Sequence, residues 1–310
     1  MTKNRYRNYN RYLKDIFGQR VQKISLDAGL GCPNRDGGIS GKGCIYCDPR
    51  GSGSGAKVFN ETTIDEQLST GIEWAKKKYG AEKYIAYFQS YTNTHAPVER
   101  LKDLYDQALS YEGMVGFSVG IRPDCVDREK LDLLNSYTDN YLVWIEYGLQ
   151  SSHDTTLAAI NRGHDVKAFV DAVNMTAEYG INICAHVILG LPGETGKMMM
   201  KTAQFLAGQP INGVKIHSLY VTKGTPLAKM YLNDEASCME RNEYIETLID
   251  FLELLPPEFI IQRVTGDPDR NELIAPAWTL EKSNNLNLIK KRLEARDTWQ
   301  GKKYRVSDAG

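Results

Sequence analysis

At 310 residues the chain suffices for one large domain or two ordinary ones, and 42% hydrophobic with 25% charged residues is a globular balance. A formal net charge of −1 gives no global field to gather a polyanion. No window approaches the roughly eighteen consecutive apolar residues of a membrane span, and the opening MTKNRYRNYNRYLKDIF has no apolar core of an export signal.

Taken from the N-terminus, residues 1–23 carry Lys3, Arg5, Arg7, Arg11, Lys14, Arg20 and Lys23 against one acid, Asp15. This is either a solvated cap or a contact for an anionic substrate such as tRNA phosphate. Short β-rich runs then alternate with helical patterns. Strands are expected at 21–26, 84–89, 115–121, 142–149, 182–189, 213–221 and 260–264, and helices at 64–79, 98–111, 128–136, 166–179 and 241–254. Asp65, Pro97, Asp127 and Asp165 sit where these helices should start. The alternation argues for a parallel sheet with helices outside, and six or seven such units close, or nearly close, a (β/α) barrel. In such barrels chemistry gathers at the C-terminal strand ends. The polar clusters Gln89 to Thr92, Arg122 to Asp124, Gln150 with Ser151, Gly190 to Pro192 and Lys223 to Thr225 lie there. The loose stretch 48–62 is expected to form a loop over or beside the site. Its GSGSGA follows no strand, so it does not meet the requirement for a dinucleotide site.

Between the first strand and that loop lies CPNRDGGISGKGCIYC, with Cys32, Cys44 and Cys47. In a chain without an export signal a cysteine cluster points to a metal or to catalysis, and to a reducing, cytoplasmic setting. Structural zinc wants four ligands, usually as two close pairs, and the nearest histidine, His95, lies beyond the next strand. Three thiolates suit a [4Fe–4S] cluster whose fourth iron stays open. Cys125, after Arg122 to Asp124, is an alternative fourth ligand. Cys184 falls inside a strand, where free cysteine is a common core residue. A zinc-bearing nucleic-acid binder and a non-catalytic iron–sulfur module are the readings from other classes.

These cysteines, with the blocks GLGCPNRDGG, AYFQSYTNT, GIRPDCVD, WIEYGLQSSHD, INRGHD, HVILGLPGET, GVKIHSLYVTKGTPL and TGDPDRNELIAPAW, resemble the radical S-adenosylmethionine (SAM) enzymes. The likeness is to the YhcC/YtqA-type, Elp3-related branch, and it runs from Arg5 to about Trp299. It implies an α/β fold: a partial (β/α)6-type TIM-like barrel over 21–265, with short extensions at 1–20 and 266–310. It implies a [4Fe–4S] cluster on Cys32, Cys44 and Cys47, SAM on the open iron, and an electron donor such as flavodoxin or ferredoxin. Tyr46 matches the aromatic beside adenine, Gln150 a ribose contact, Arg162 the residue that holds the SAM carboxylate, and His186 a polar ribose contact. Gly190 and Gly193 match the loop whose backbone meets adenine. Where the family has a glycine-containing motif for the SAM amino group, this chain reads Gln89-Ser90-Tyr91-Thr92, so backbone carbonyls and the hydroxyls of Ser90 or Thr92 are expected to serve.

Substrate contacts are expected among Gln89, Tyr91, Asn93, Arg122, Asp124, Glu146, Lys215, His217, Tyr220, Lys223 and Gln262. Glu146 and His217 follow the alternation of inward-facing positions, and a buried Glu146–Lys215 ion pair is the structural alternative. His95, His153 and His164 are expected to cap or orient loops. The resemblance implies a modified nucleobase as substrate and C–N bond cleavage as the reaction. The leading expectation is a queuine lyase that releases a 7-aminomethyl-7-deazaguanine. The other is conversion of a substituted aminomethyl wobble uridine in tRNA to its aminomethyl form. No second cysteine cluster is present for methylthiolation.

Overall fold

The computed structural model describes residues 4–51 and 63–305, so most of the loose stretch 48–62, including nearly all of GSGSGA, lies outside the described residues. Among the described residues nine strands form: β1 (Val21–Leu26), β2 (Lys83–Phe88), β3 (Met114–Ile121), β4 (Leu142–Gln150), β5 (Asn182–Leu189), β6 (Gly213–Ser218), β7 (Val221–Thr222), β8 (Ile260–Arg263) and β9 (Leu273–Ala275). Seven of them make one parallel sheet in the order β1-β2-β3-β4-β5-β6-β8. The sheet curls into a half-barrel, and β7 pairs antiparallel with β9 apart from it.

The described helices are α1 (Tyr9–Phe17), α2 (Ile64–Tyr79), α3 (Val98–Leu109), α4 (Arg128–Asn135), α5 (Asp154–Ala159), α6 (Val166–Ala177), α7 (Gly196–Ala207), α8 (Pro226–Leu232), α9 (Arg241–Leu254) and α10 (Lys282–Ala295). Pro97, Asp127 and Asp165 are N-caps as expected, the two aspartates accepting a backbone N–H. Asp65 is not. The cap of α2 is Thr63, in a reciprocal box with Glu66, and Asp65 sits in the first turn. The run 213–221 also divides: β6 stops at Ser218, and Val221 belongs to β7.

Period-two patterning explains how the sheet serves two environments. On β4, Val143, Ile145, Tyr147 and Leu149 join the core beneath the outer helices, while Trp144, Glu146, Gly148 and Gln150 alternate with them. On β5 and β6 the same rule sends Ile183, Ala185, Val187, Val214 and Ile216 to that core, and His186, Lys215 and His217 to the barrel interior.

The N-terminal segment closes the end of the barrel opposite the cysteines. Asn8 bridges to Ile261, and Ile261 N–H donates to the Arg7 carbonyl at 2.8 Å. Tyr9 and Leu13 of α1 pack with Val21, Ile85, Trp144, Cys184 and Ile260. Tyr9 and Tyr12 meet the Trp144 ring edge-on at 5.8 and 6.0 Å. The basic residues there already have protein partners: Arg5 pairs with Asp297 at 2.8 Å, Arg7 donates to the Glu258 carbonyl at 2.7 Å, and Arg11 pairs with Asp15 at 2.8 Å. They cap the fold at its closed end, which is the solvated-cap reading of that run.

Candidate active site

The cysteine loop is held by its own backbone and by the segment after α5. Arg35 N–H and Asp36 N–H both donate to the Cys32 carbonyl, at 2.7 and 3.1 Å, and Cys47 N–H donates to that of Cys44 at 3.1 Å. The Asn34 amide donates to the Asn161 carbonyl at 2.7 Å, and the Asn161 amide returns a bond of 2.6 Å to the Gly43 carbonyl. The Arg35 guanidinium spans the carbonyls of Cys47 and Asp48 at 2.7 and 2.5 Å. All three cysteines are free thiols and line one cavity at the C-terminal end of the strands. Among the described residues no three His, Cys, Asp or Glu side chains are placed to hold a single metal ion.

Arg162 sits against this loop. Its Nη1 donates to the Cys44 Sγ at 3.6 Å, and its Nη2 and Nε donate to the Gly148 carbonyl at 2.6 and 3.2 Å. The Asn34 amide also reaches the Cys44 sulfur at 3.6 Å. Burial alone would raise the Cys44 thiol, but the charge and hydrogen bond of Arg162 pull it below the ordinary value. A thiol so placed is poised as a metal-binding thiolate. Arg122, itself buried, donates to the Arg162 carbonyl at 2.7 Å and grips Asp124 with two bonds of 2.9 and 2.7 Å. These two expected substrate contacts are thus engaged with each other and with Arg162, although Arg122 still lines the cavity. Tyr46 and Gln150 line it as well, Gln150 with a φ of 77°.

The cavity floor is an ionic network centred on Glu146. Its Oε1 accepts from Lys23 Nζ at 2.5 Å, and its Oε2 meets Lys215 Nζ at 2.9 Å and His186 Nε2 at 2.7 Å. Lys215 also donates to the Tyr87 hydroxyl at 2.7 Å, and Lys23 to the side-chain Oε1 of Gln262 at 3.1 Å. Burial opposes the Glu146 charge, but Lys215 and Lys23 hold its carboxyl well below the usual range. Burial, with its neighbour cations, brings Lys215 down to about 7 and His186 to about 4. His217, whose ring centre lies 5.7 Å from that of His186, is also pushed well down by burial. The ion pair between Glu146 and Lys215 is present, and Lys215 still lines the cavity with His186 and His217.

The other expected residues divide. Gln89, Tyr91, Thr92 and Tyr220 line the cavity. Tyr91, at φ 61°, donates its hydroxyl to the Pro49 carbonyl at 2.6 Å. Ser90, Gly190 and Gly193 are not part of this lining. Ser90 is buried, with its hydroxyl oxygen unpartnered among the described residues. Gly190 and Gly193 hold φ of 87° and 81° in the turn after β5, where a β-carbon is disfavoured. Asn93 donates to the Phe88 and Gly120 carbonyls, both at 2.9 Å, as a strand-end clamp. Lys223 donates to the Asn271 carbonyl at 2.8 Å and is exposed. His95 pairs with Asp36 at 2.8 Å, His153 meets the Met198 carbonyl at 3.0 Å and His164 the Gly148 carbonyl at 3.2 Å. Cys125 is outside the lining, its thiol raised to about 12 by burial, and Cys184 is a core residue. Lys23, Tyr87, Arg263, Asn34 and Arg35 were not singled out by sequence for the site. The signal available for Lys23 was a lysine inside a strand, masked by the basic run around it.

The model of the Radical SAM superfamily matches residues 29–206, more than half of the chain. The chain belongs to the radical SAM superfamily. The Radical_SAM C-terminal domain model matches residues 211–295. The uncharacterized protein YtqA of Bacillus subtilis is 40% identical over 301 residues, 97% of this chain and 93% of YtqA, and the branch is that of YtqA and YhcC. A tRNA uridine(34) acetyltransferase of Methanocaldococcus infernus is 25% identical over 184 residues, 58% of this chain and 33% of that protein. Among solved structures, the archaeal Methanocaldococcus infernus Elp3 with residues 1–46 deleted superposes with a TM-score of 0.64 at 19% identity. It covers 90% of this chain and 64% of that one, and establishes the shared fold. Radical SAM enzymes use a [4Fe–4S] cluster and SAM, and three free thiols around one cavity, with N–H donors aimed at Cys44, fit that cluster.

Proposed function

We propose that this radical SAM enzyme breaks a C–N bond at the substituted aminomethyl nitrogen of a modified nucleobase. The observation that carries the reading is that the three-cysteine mouth and the Glu146 network belong to one cavity. The thiols and the polar floor therefore open onto the same space.

Cys32, Cys44 and Cys47 would hold the cluster, Arg162 and Gln150 would meet the carboxylate and ribose of SAM, and Tyr46 would pack beside adenine. When bound, cluster and SAM supply a 5′-deoxyadenosyl radical that abstracts a hydrogen from the substrate. The chain's own residues do the rest. Arg162 has a guanidinium fork suited to both oxygens of a carboxylate. Tyr91 and Tyr220 bring aromatic side chains to the cavity lining, against which a base would pack. Lys215 and His186, flanking the Glu146 carboxylate, present polar groups to the aminomethyl arm.

The relative named as a tRNA uridine(34) acetyltransferase favours a wobble uridine as the base. Free queuine is the second reading. It is favoured by the place of the basic N-terminal residues, which are paired at the closed end of the barrel rather than around the mouth. The test supplies the anaerobically reconstituted enzyme, SAM and a reductant with wobble-modified tRNA, with free queuine, or with neither. Stimulated 5′-deoxyadenosine release, with loss of the nitrogen substituent by mass spectrometry, identifies the substrate. Release unaffected by either base rejects both.

A further inference from the structure

The floor of the cavity contains more positive charge than its one carboxylate balances. Glu146 is fully buried and is met from below by Lys23 at 2.5 Å, a residue outside the cavity lining. That contact alone neutralises the carboxylate. Lys215 shares the other carboxylate oxygen at 2.9 Å and faces the cavity. Arg263, at the end of β8, lines the same cavity. Among the described residues the one carboxylate within 4.0 Å of its guanidinium is Asp267, at that limit, and Asp267 is itself paired with Lys282 at 2.6 Å. The remaining polar groups here bring no negative charge: Tyr87 accepts from Lys215 through its hydroxyl, and His186 and His217 are kept neutral by burial.

We propose that the cavity floor between Lys215 and Arg263 is a subsite for an oxyanion, a carboxylate or phosphate group carried at the far end of the substrate. This rests on the reading of the cavity as the substrate chamber. The physical reason is that cations facing a low-dielectric space cost free energy until a counter-charge arrives. An entering anion gains charge-assisted hydrogen bonds from an ammonium and a guanidinium fork that the fold already holds in place. Burial lowers the basicity of Lys215 most, Glu146 opposes this, and Lys23 and Arg263 lower it further, so both of those cations lie close enough to act on it. A carboxylate on Arg162, at the other end of the cavity beside Cys44, is a separate contact. Queuine bears no oxyanion, so this subsite also separates the two bases.

The test is calorimetric titration of the reconstituted, SAM-loaded and unreduced enzyme with sodium acetate, with inorganic phosphate and with neutral acetamide. The expected result is that at least one anion binds and acetamide does not. Acetate alone marks a carboxylate end, and phosphate alone a phosphate end. Arg263→Gln alters a part-exposed side chain, and should weaken anion binding about tenfold, the scale of one charged hydrogen bond. Lys215→Met should do the same. Anions that bind no better than acetamide, or that bind equally well to both variants, overturn the subsite. SAM affinity is measured on the same samples. Retained SAM binding with no anion binding removes the subsite alone, whereas lost SAM binding in the unaltered enzyme removes the functional reading beneath it.

Discussion

Arg122 Nη1 donates to the backbone carbonyl of Arg162 at 2.7 Å, so one buried arginine fixes the position of another. The chain of contacts runs from Asp124 through Arg122 to Arg162 and ends on the sulfur of Cys44. It ties the end of β3 to the cysteine loop across the cavity mouth.

Arg122→Gln removes a cation from the half-buried Asp124 and frees the Arg162 backbone. We expect a loss of about 2 kcal/mol in urea unfolding, the scale of charged hydrogen bonds lost beside a part-exposed Asp124. SAM affinity should fall as well, by equilibrium dialysis. An unchanged unfolding midpoint would show that Arg122 does not brace this corner.

Gly148 lies under the same guanidinium. A β-carbon there would come within 2.5 Å of Arg162 Nη2 and 2.7 Å of Gln150 Nε2. Both are the ends of long side chains, so Gly148→Ala should fold with less than about 1 kcal/mol lost. It should weaken SAM binding about tenfold or more by displacing both proposed contacts. Undiminished SAM affinity would place the SAM carboxylate and ribose elsewhere.

The buried bases set the pH dependence of stability. His186 is held at about 4, below its ordinary 6.5. As pH falls through that window the unfolded chain takes up a proton that the folded chain refuses. Stability present above 6.5 is therefore lost towards 4, by about 3 kcal/mol for the full shift. Lys215 acts in the alkaline window. Its folded value of about 7 against 10.5 means that stability rises as pH climbs between them. Urea unfolding across pH checks both: His186→Gln should flatten the acid limb, and Lys215→Met the alkaline rise. Slopes identical to the unaltered protein would contradict these assignments.

The strand framework was legible because every barrel strand except β1 carries a nearly unbroken apolar outer face, as in the alternate residues of β4. The cysteines were legible through their spacing alone. The floor was only partly so. Glu146 and Lys215 stood out as charges inside strands, but Lys23 was read with the basic run around it, because nothing in the sequence shows α1 folding under the barrel. Arg263 was missed because it lies at the end of a short strand, just before polar loop residues. α7 was missed because its start, Gly196, resembles the glycine-rich turn before it, and α10 because charged and amide residues dilute its apolar stripe. Asp65 is not the cap because Thr63, two residues earlier, makes a box with Glu66, a Thr-x-x-Glu pattern that is itself present in the sequence.

We propose that the three cysteines and Arg162 form a working radical SAM centre. The most direct measurement is 5′-deoxyadenosine formed from SAM by the anaerobically reconstituted, reduced protein, beside Cys44→Ala with its fold verified by circular dichroism. The expected result is release by the unaltered protein and none by the folded variant. Equal release from both, or none from an unaltered protein shown spectroscopically to carry its cluster, would contradict it.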